Sequence, residues 1–210
     1  MDILKTIVSL FAIVDPIGAV PIFMSITAGR SAASRAKMAR MAALAVLCLL
    51  VGSIFLGGRI LTFFGISISA FRVAGGILLL LMAIAMLQAA PSATRSTPEE
   101  TADAEEREGA AVVPIAMPLL AGPGSISTAV LWSEQCHSMW DKGILVLASL
   151  VIAASVLVSL LLANRIGRRL GRTGINVLTR LMGLLLAAIA VEFVVDGLGQ
   201  LLPGLAVPRT

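Results

Sequence analysis

Apolar residues in this chain come in long unbroken runs, not in the short alternations of a soluble fold. Charge-free stretches extend from Met41 to Gly58, Val73 to Thr94, Gly109 to Ser133 and Gly143 to Asn164, and about 20 apolar residues cross a bilayer as a helix. Two further runs carry acids: Ile3 to Ala28 contains Asp15, and Asn176 to Leu202 contains Glu192 and Asp196. The pattern predicts an all-α membrane protein of six transmembrane helices. Lys5 ahead of an apolar run has the look of a signal peptide, but Asp15-Pro16 interrupt it and no A-x-A cleavage pattern follows, so it is read as a mature helix.

Composition agrees with that reading. Of 210 residues, 58% are hydrophobic and 13% charged, against about 45–50% and about 25% in soluble domains. A water-facing surface cannot be built from so little charge, and collagen, intrinsic disorder and coiled coils are excluded with it. The two cysteines, Cys48 and Cys136, are read as one buried and one loop thiol, which excludes a disulfide framework or a CxxC metal site.

The net charge of +4 takes its meaning from where the basic residues lie. They flank the apolar runs, with no aromatics interleaved and no tyrosine anywhere, so a nucleic-acid partner is not indicated and the lipid bilayer is. Arg30, Arg35, Lys37, Arg40, Arg95, Arg107, Arg165, Arg168, Arg169, Arg172 and Arg180 fall on one side of six spans; Lys5, Arg59, Arg72, Lys142 and Arg209 fall on the other. Eleven against five puts both termini outside by the positive-inside rule. The acidic stretch Glu99–Glu108 is then a solvated cytoplasmic linker.

That linker, within 91–110, separates two halves, 1–90 and 111–210, that resemble each other. Pro16 corresponds to Pro123 at an offset of 107; Arg72 and Gly75 correspond to Arg180 and Gly183 at 108. Three helices per half, an odd number, insert the second copy upside down, the inverted-repeat plan of many secondary transporters.

Helices 1 and 4 are each expected to break at the midplane. Asp15-Pro16-Ile17-Gly18 with Pro21 cannot continue a helix but can start one, the Asp capping free N–H groups and the Pro sitting in the first turn. Ile3 to Val14 covers about 18 Å at about 1.5 Å per residue, close to the middle of a core about 30 Å thick. Gly122-Pro123-Gly124-Ser125, followed by Thr128, repeats the arrangement. Irregular backbone at that depth must be covered by protein or line a wet cavity. Asp15, Pro16, Gly18, Gly122, Pro123, Gly124, Ser125 and Thr128 therefore form the candidate substrate site, in which two helix starts offer N–H groups to a carboxylate and the glycines admit a ligand to the backbone. Proline kinks alone are common; paired kinks of matching depth, one with an acid that is costly to bury in lipid, favour function.

Asp15 is the first candidate for ion coupling and Glu192 the second. Arg72 and Arg180 begin related helices at opposite surfaces, where they snorkel to water or act as a gating pair. His137 is read as a loop residue, and with no Ser/His/Asp set, zinc spacing or phosphate loop nothing points to an enzyme or a bound cofactor.

The motifs Asp15-Pro16-Ile17-Gly18, Phe64-Gly65-Ile66-Ser67-Ile68 followed by Arg72-Val73-Ala74-Gly75-Gly76, Met117-Pro118-Leu119-Leu120-Ala121-Gly122-Pro123-Gly124-Ser125, and Arg180-Leu181-Met182-Gly183 resemble the MarC family of bacterial inner-membrane proteins over almost the whole chain. That family includes SnatA-type transporters. The resemblance implies a small neutral amino acid, glycine- or alanine-sized, carried with a proton or sodium gradient across the inner membrane, by a monomer or a homo-oligomer. Ala19 stands where the family often has Asn. A non-transporting scaffold, an exporter of another small metabolite and a thiol-based electron carrier are the competing readings; the last would need cysteines at the breaks.

Overall fold

The computed structural model describes residues 3–88, 122–202 and 204. Among them the secondary structure is helical: α1 (Ile3–Val14), α2 (Ala19–Ile26), α3 (Ala32–Phe63), α4 (Ile68–Leu87), α5 (Pro123–Glu134), α6 (Met139–Leu161) and α7 (Ala163–Leu201). The linker 91–110, the half-helix expected over 111–121 and Arg95, Arg107 and Arg209 lie outside the described residues.

Four helices are long and apolar enough to span a membrane: α3, α4, α6 and the Thr173–Leu201 part of α7. The bent pair α1–α2, turned by 40°, is a fifth candidate. Of the sixth expected span only the part from Gly122 onward is described. The long helix α7 changes direction at Gly171, whose φ of 60° and ψ of −178° suit a residue without a Cβ. Large side chains such as Leu44, Phe55, Ile60, Leu150 and Leu184 are exposed along the spans, which is the surface lipid requires.

Local sequence sets the helix starts. Ser31 caps α3 by accepting from Ser34 N at 3.2 Å, and Ser67 caps α4 by accepting from Ala70 N at 3.2 Å. Ser138 caps α6 in a capping box with Asp141: Ser138 Oγ accepts from Asp141 N, and the Asp141 carboxylate reaches back to accept from Ser138 N.

Small residues set the packing. Helices α4 and α7 run antiparallel in close contact: a Cβ on Gly76 would meet Val194 Cγ2 at 2.8 Å, one on Gly183 would meet Met86 Cβ at 2.9 Å, and one on Gly197 would meet Val73 Cγ2 at 2.6 Å. Close backbone approach through glycine is the usual means of helix association in lipid, where apolar burial between helices gains little. Leu10, Val14, Val20 and Phe23 of the bent pair pack with Val46, Leu50 and Ile54 of α3 and Ile152 and Val156 of α6 in the larger core. A smaller cluster joins Ile13 to Leu79, Met82, Leu186 and Ala190.

Candidate functional site

Helix α1 closes with Asp15 N donating to Phe11 O at 3.0 Å. Asp15 itself turns left-handed, with φ 46°, a conformation that Asp tolerates better than most residues because its short polar side chain bonds locally. Its Oδ1 accepts from Gly18 N at 3.0 Å, and Ala19 N reaches Asp15 O at 3.3 Å. The second half-helix starts at Ala19 with Gly18 as its N-cap and no side-chain cap, so Pro16, expected in its first turn, instead belongs to the connecting turn. The Asp15 carboxylate lies just ahead of the helix, where anionic charge meets the positive end of the dipole. Asp15 is 2% exposed. Gly18 is needed for this arrangement, since a Cβ there would overlap the Asp15 carboxylate; its missing side chain makes room for the acid.

The start of α5 is built differently. Gly122 is extended (φ −67°, ψ 177°), Pro123 occupies the first turn, and no side chain caps the helix. Ser125 N and Ile126 N both donate to Gly122 O, at 3.0 and 3.3 Å, so these two amides are satisfied within the helix. Ser125 Oγ also turns back on Gly122 O at 2.8 Å, and Ser127 Oγ on Pro123 O at 2.8 Å. The space beside Gly124 is filled: a Cβ there would lie 2.6 Å from Leu79 Cδ2 and 3.1 Å from Met82 Sδ. Leu79 and Met82 pack with Ile13, two residues before Asp15, so the bend after α1 and the start of α5 converge on the same part of α4.

Thr128 is fully buried, and its Oγ1 has no hydrogen-bond partner among the described residues; the same holds for Trp132 Nε1. Residues four apart share a helix face, and Gln135 continues that face. At its far end Trp132 and Gln135 line a cavity of about 30 Å³ with Arg72, Asp196, Leu131 and Phe193, enough for about one water. Ser125, Thr128, Trp132 and Gln135 therefore make a polar edge along α5 from its start to a cavity holding Arg72 and Asp196. Sequence reasoning missed Trp132 and Gln135 because only the hydroxyl periodicity along α5 could have suggested them.

Other expected residues are dispersed. Glu192 is exposed, while Arg72 is half-buried and Arg180 exposed. The structure does not bring the two arginines together. Cys48, expected to be buried, is exposed on α3, and Cys136 is half-buried, its Sγ 3.3 Å from Trp132 O. The expectation for Cys48 failed because a lipid-facing surface admits a small apolar thiol as readily as the interior does. Burial pushes the Cys136 thiol above its ordinary pKa, and the Asp141 carboxylate adds to the shift. Among the described residues no cluster of His, Cys, Asp and Glu has the makings of a metal site.

Two larger cavities lie toward the helix ends. One of about 160 Å³ is lined by Phe23, Thr27, Ala32, Arg35 and Asn164, among others. The second, about 610 Å³, is lined by Arg59, Thr62, Glu134, Met139 and Lys142, among others. Neither includes Asp15, Gly122 or Thr128.

The profile of the MarC family integral membrane proteins matches residues 1–202. The chain belongs to the MarC family. It is 41% identical over 201 residues to the UPF0056 membrane protein YhcE of Escherichia coli (strain K12), covering 96% of this chain and 94% of that one. A UPF0056 membrane protein of Buchnera aphidicola subsp. Acyrthosiphon pisum is 42% identical over 205 residues, with 96% and 94% covered. Another, from Methanocaldococcus jannaschii, is 40% identical over 190 residues, with 90% and 92% covered. No solved structure matches. This MarC protein is an integral, multi-pass membrane protein that sits in a lipid bilayer, and its relatives' names state no activity.

Proposed function

We propose that this MarC protein is a secondary transporter of small neutral amino acids, glycine- or alanine-sized, working by alternating access around the bend after α1 and the start of α5. The observation that carries this reading is Asp15: an acid buried in the interior of a membrane protein, in a left-handed turn between two half-helices. A carboxylate in such a place is costly on insertion scales, by about 2.5–3.5 kcal/mol, and such residues in transporters mark ion or substrate paths. Broken helices in transporters put half-helix ends at substrate and ion sites.

An inverted repeat is part of the same reading. Ser31 and Ser138 cap equivalent helices at the offset of 107, and the residues whose amides they accept, Ser34 and Asp141, are also 107 apart. The antiparallel pairing of α4 with α7 is what a twofold axis in the membrane plane gives for the third helix of each half. In this reading both termini face the periplasm across a bacterial inner membrane, the halves are 1–90 and 111–210, and no catalytic chemistry or bound cofactor is involved.

The chemistry divides between the two starts. Asp15 supplies negative charge for an ammonium group or a coupling cation, proton or sodium, and α5 supplies a helix N-terminus for a carboxylate with the Thr128 hydroxyl beside it. Glu192, exposed on α7, is the second candidate for coupling, and Arg72 beside Asp196 is better placed than Arg180 to act as a gate. Purified protein in liposomes tests the proposal: imposed pH or sodium gradients should drive accumulation of labelled glycine or alanine. A protein that neither accumulates these amino acids nor exchanges them in counterflow is not this transporter, and the scaffold reading would then stand.

A further inference from the structure

The two larger cavities are related by the same offset as the two halves. Thr27, Ala32 and Arg35 line the first; 107 residues further on, Glu134, Met139 and Lys142 line the second. In the other direction Leu161 of the first cavity corresponds to Ile54 of the second. Each cavity is the joint between a second half-helix, α2 or α5, and the long helix that follows it, closed by the end of the long helix from the other half.

They open at opposite ends of the molecule. Arg35 and Arg59, one from each cavity, lie on the single helix α3, and 24 residues at about 1.5 Å each separate them by roughly 36 Å. That exceeds a hydrocarbon core of about 30 Å. Both cavities have a cation in their walls: Arg35 in one, held by its Nε donating to Arg30 O at 3.2 Å, and Lys142 with Arg59 in the other. Among the described residues Arg35 is the one charged residue lining the first cavity, whereas the second carries Glu134 beside its two cations; a cation in a low-dielectric cleft attracts a carboxylate.

We infer that these cavities are repeat-related vestibules, one at each membrane face, in which Arg35 on one side and Lys142 with Arg59 on the other take the carboxylate of the incoming amino acid before it reaches the bend at Asp15. The inference rests on the transport reading and adds to it two binding sites remote from the bend. The vestibules are not equivalent. Where the first has Thr27, whose hydroxyl donates to Phe23 O at 2.7 Å, the second has Glu134, whose carboxylate lies against Gly58. The Glu134 side can therefore receive the ammonium and the carboxylate of one zwitterion together, and it binds the amino acid more tightly.

Sided counterflow of labelled alanine in oriented proteoliposomes tests this. Arg59→Gln with Lys142→Gln should raise KM about ten-fold from the α5–α6 face and leave kcat and the opposite face unchanged; Arg35→Gln should do the converse. Alaninamide, which lacks the carboxylate, should inhibit parent and variants equally. Because removing a cation can disturb folding, Ala32→Cys and Met139→Cys in a background without native cysteines give a second measurement. A membrane-impermeant maleimide should label each from opposite faces, and alanine should slow both reactions.

A parent protein that moves alanine while the variants keep its KM values overturns the vestibules and leaves the transport reading intact. A parent that moves no alanine overturns both. A KM rise that vanishes in neutral phosphatidylcholine vesicles assigns the cations to lipid headgroups and overturns the inference as well.

Discussion

Helices α2 and α5 both begin beside a proline and a glycine but start in opposite chemical styles. At α2 a charged side chain organises the start: Asp15 adopts φ 46°, its carboxylate accepts from Gly18 N, and Gly18 lacks the Cβ that would displace it. At α5 the backbone and proline do that work, with no side-chain cap, and the hydroxyls of Ser125 and Ser127 turn onto their own helix. One helix face of α5 carries Ser125, Thr128, Trp132 and Gln135; 107 residues earlier stand Gly18, Pro21, Ser25 and Ala28. The two helix starts of the proposed repeat keep their register while the chemistry beside them diverges. In the proposed transport cycle this gives a negative pole at Asp15 and, on α5, the Thr128 hydroxyl and Trp132 N–H as donors, suited to a zwitterion in a single orientation.

Neutralising one pole should have the largest effect. Asp15→Asn keeps the size and much of the capping ability but cannot titrate. It should abolish gradient-driven accumulation in liposomes while counterflow persists at least in part. Accumulation at the parent level under a pH or sodium gradient would move coupling elsewhere, with Glu192 next.

Stability should separate the two starts as well. Asp15→Ala loses a cap and places alanine in a left-handed turn, a loss of about 2 kcal/mol. Ser125→Ala, which removes one of three hydrogen bonds to Gly122 O, should lose only about 0.5–1.5 kcal/mol. Denaturation in detergent reads both, and equal losses would erase the distinction.

Gly124→Ala should lower stability by about 1–3 kcal/mol through overpacking against Leu79 and Met82, and Leu79→Val in the same chain should recover part of that. Weakened alanine binding that recovers together with stability makes the glycine a packing residue. Binding that stays weak after stability returns would mean that a ligand approaches its backbone.

The smallest structural effect is expected at Thr128. Thr128→Val removes a buried hydroxyl without a partner among the described residues, so stability should hold or rise by up to about 1 kcal/mol. Alanine affinity, measured by calorimetry, should fall several-fold if the hydroxyl meets substrate, and Thr128→Ser should retain it.

Much of the fold could be read from the chain because crossing a bilayer is a local property: about 20 apolar residues suffice wherever they occur. The spans at α3, α4, α6 and α7 were visible for that reason, as was the bend, since Pro16 has no N–H with which to continue α1 and Pro21 is accommodated only in the first turn of the helix that follows. The cap at Asp15 was equally local, its partner Gly18 being three residues away. What tertiary structure alone decided involves segments far apart in sequence. The sequence offered Gly124 to a ligand, but Leu79 and Met82 fill the space beside it. It treated Arg72 and Arg180 alike, yet Arg72 shares a cavity with Asp196 and Trp132 while Arg180 is exposed. Thr128 and Trp132 read as ordinary helix positions until packing buried their polar atoms. Composition and turn chemistry act over a few residues and are written into any window of the sequence. Which side of a glycine is filled, and which polar atom is left without a partner, depends on how helices some fifty to a hundred residues apart come together.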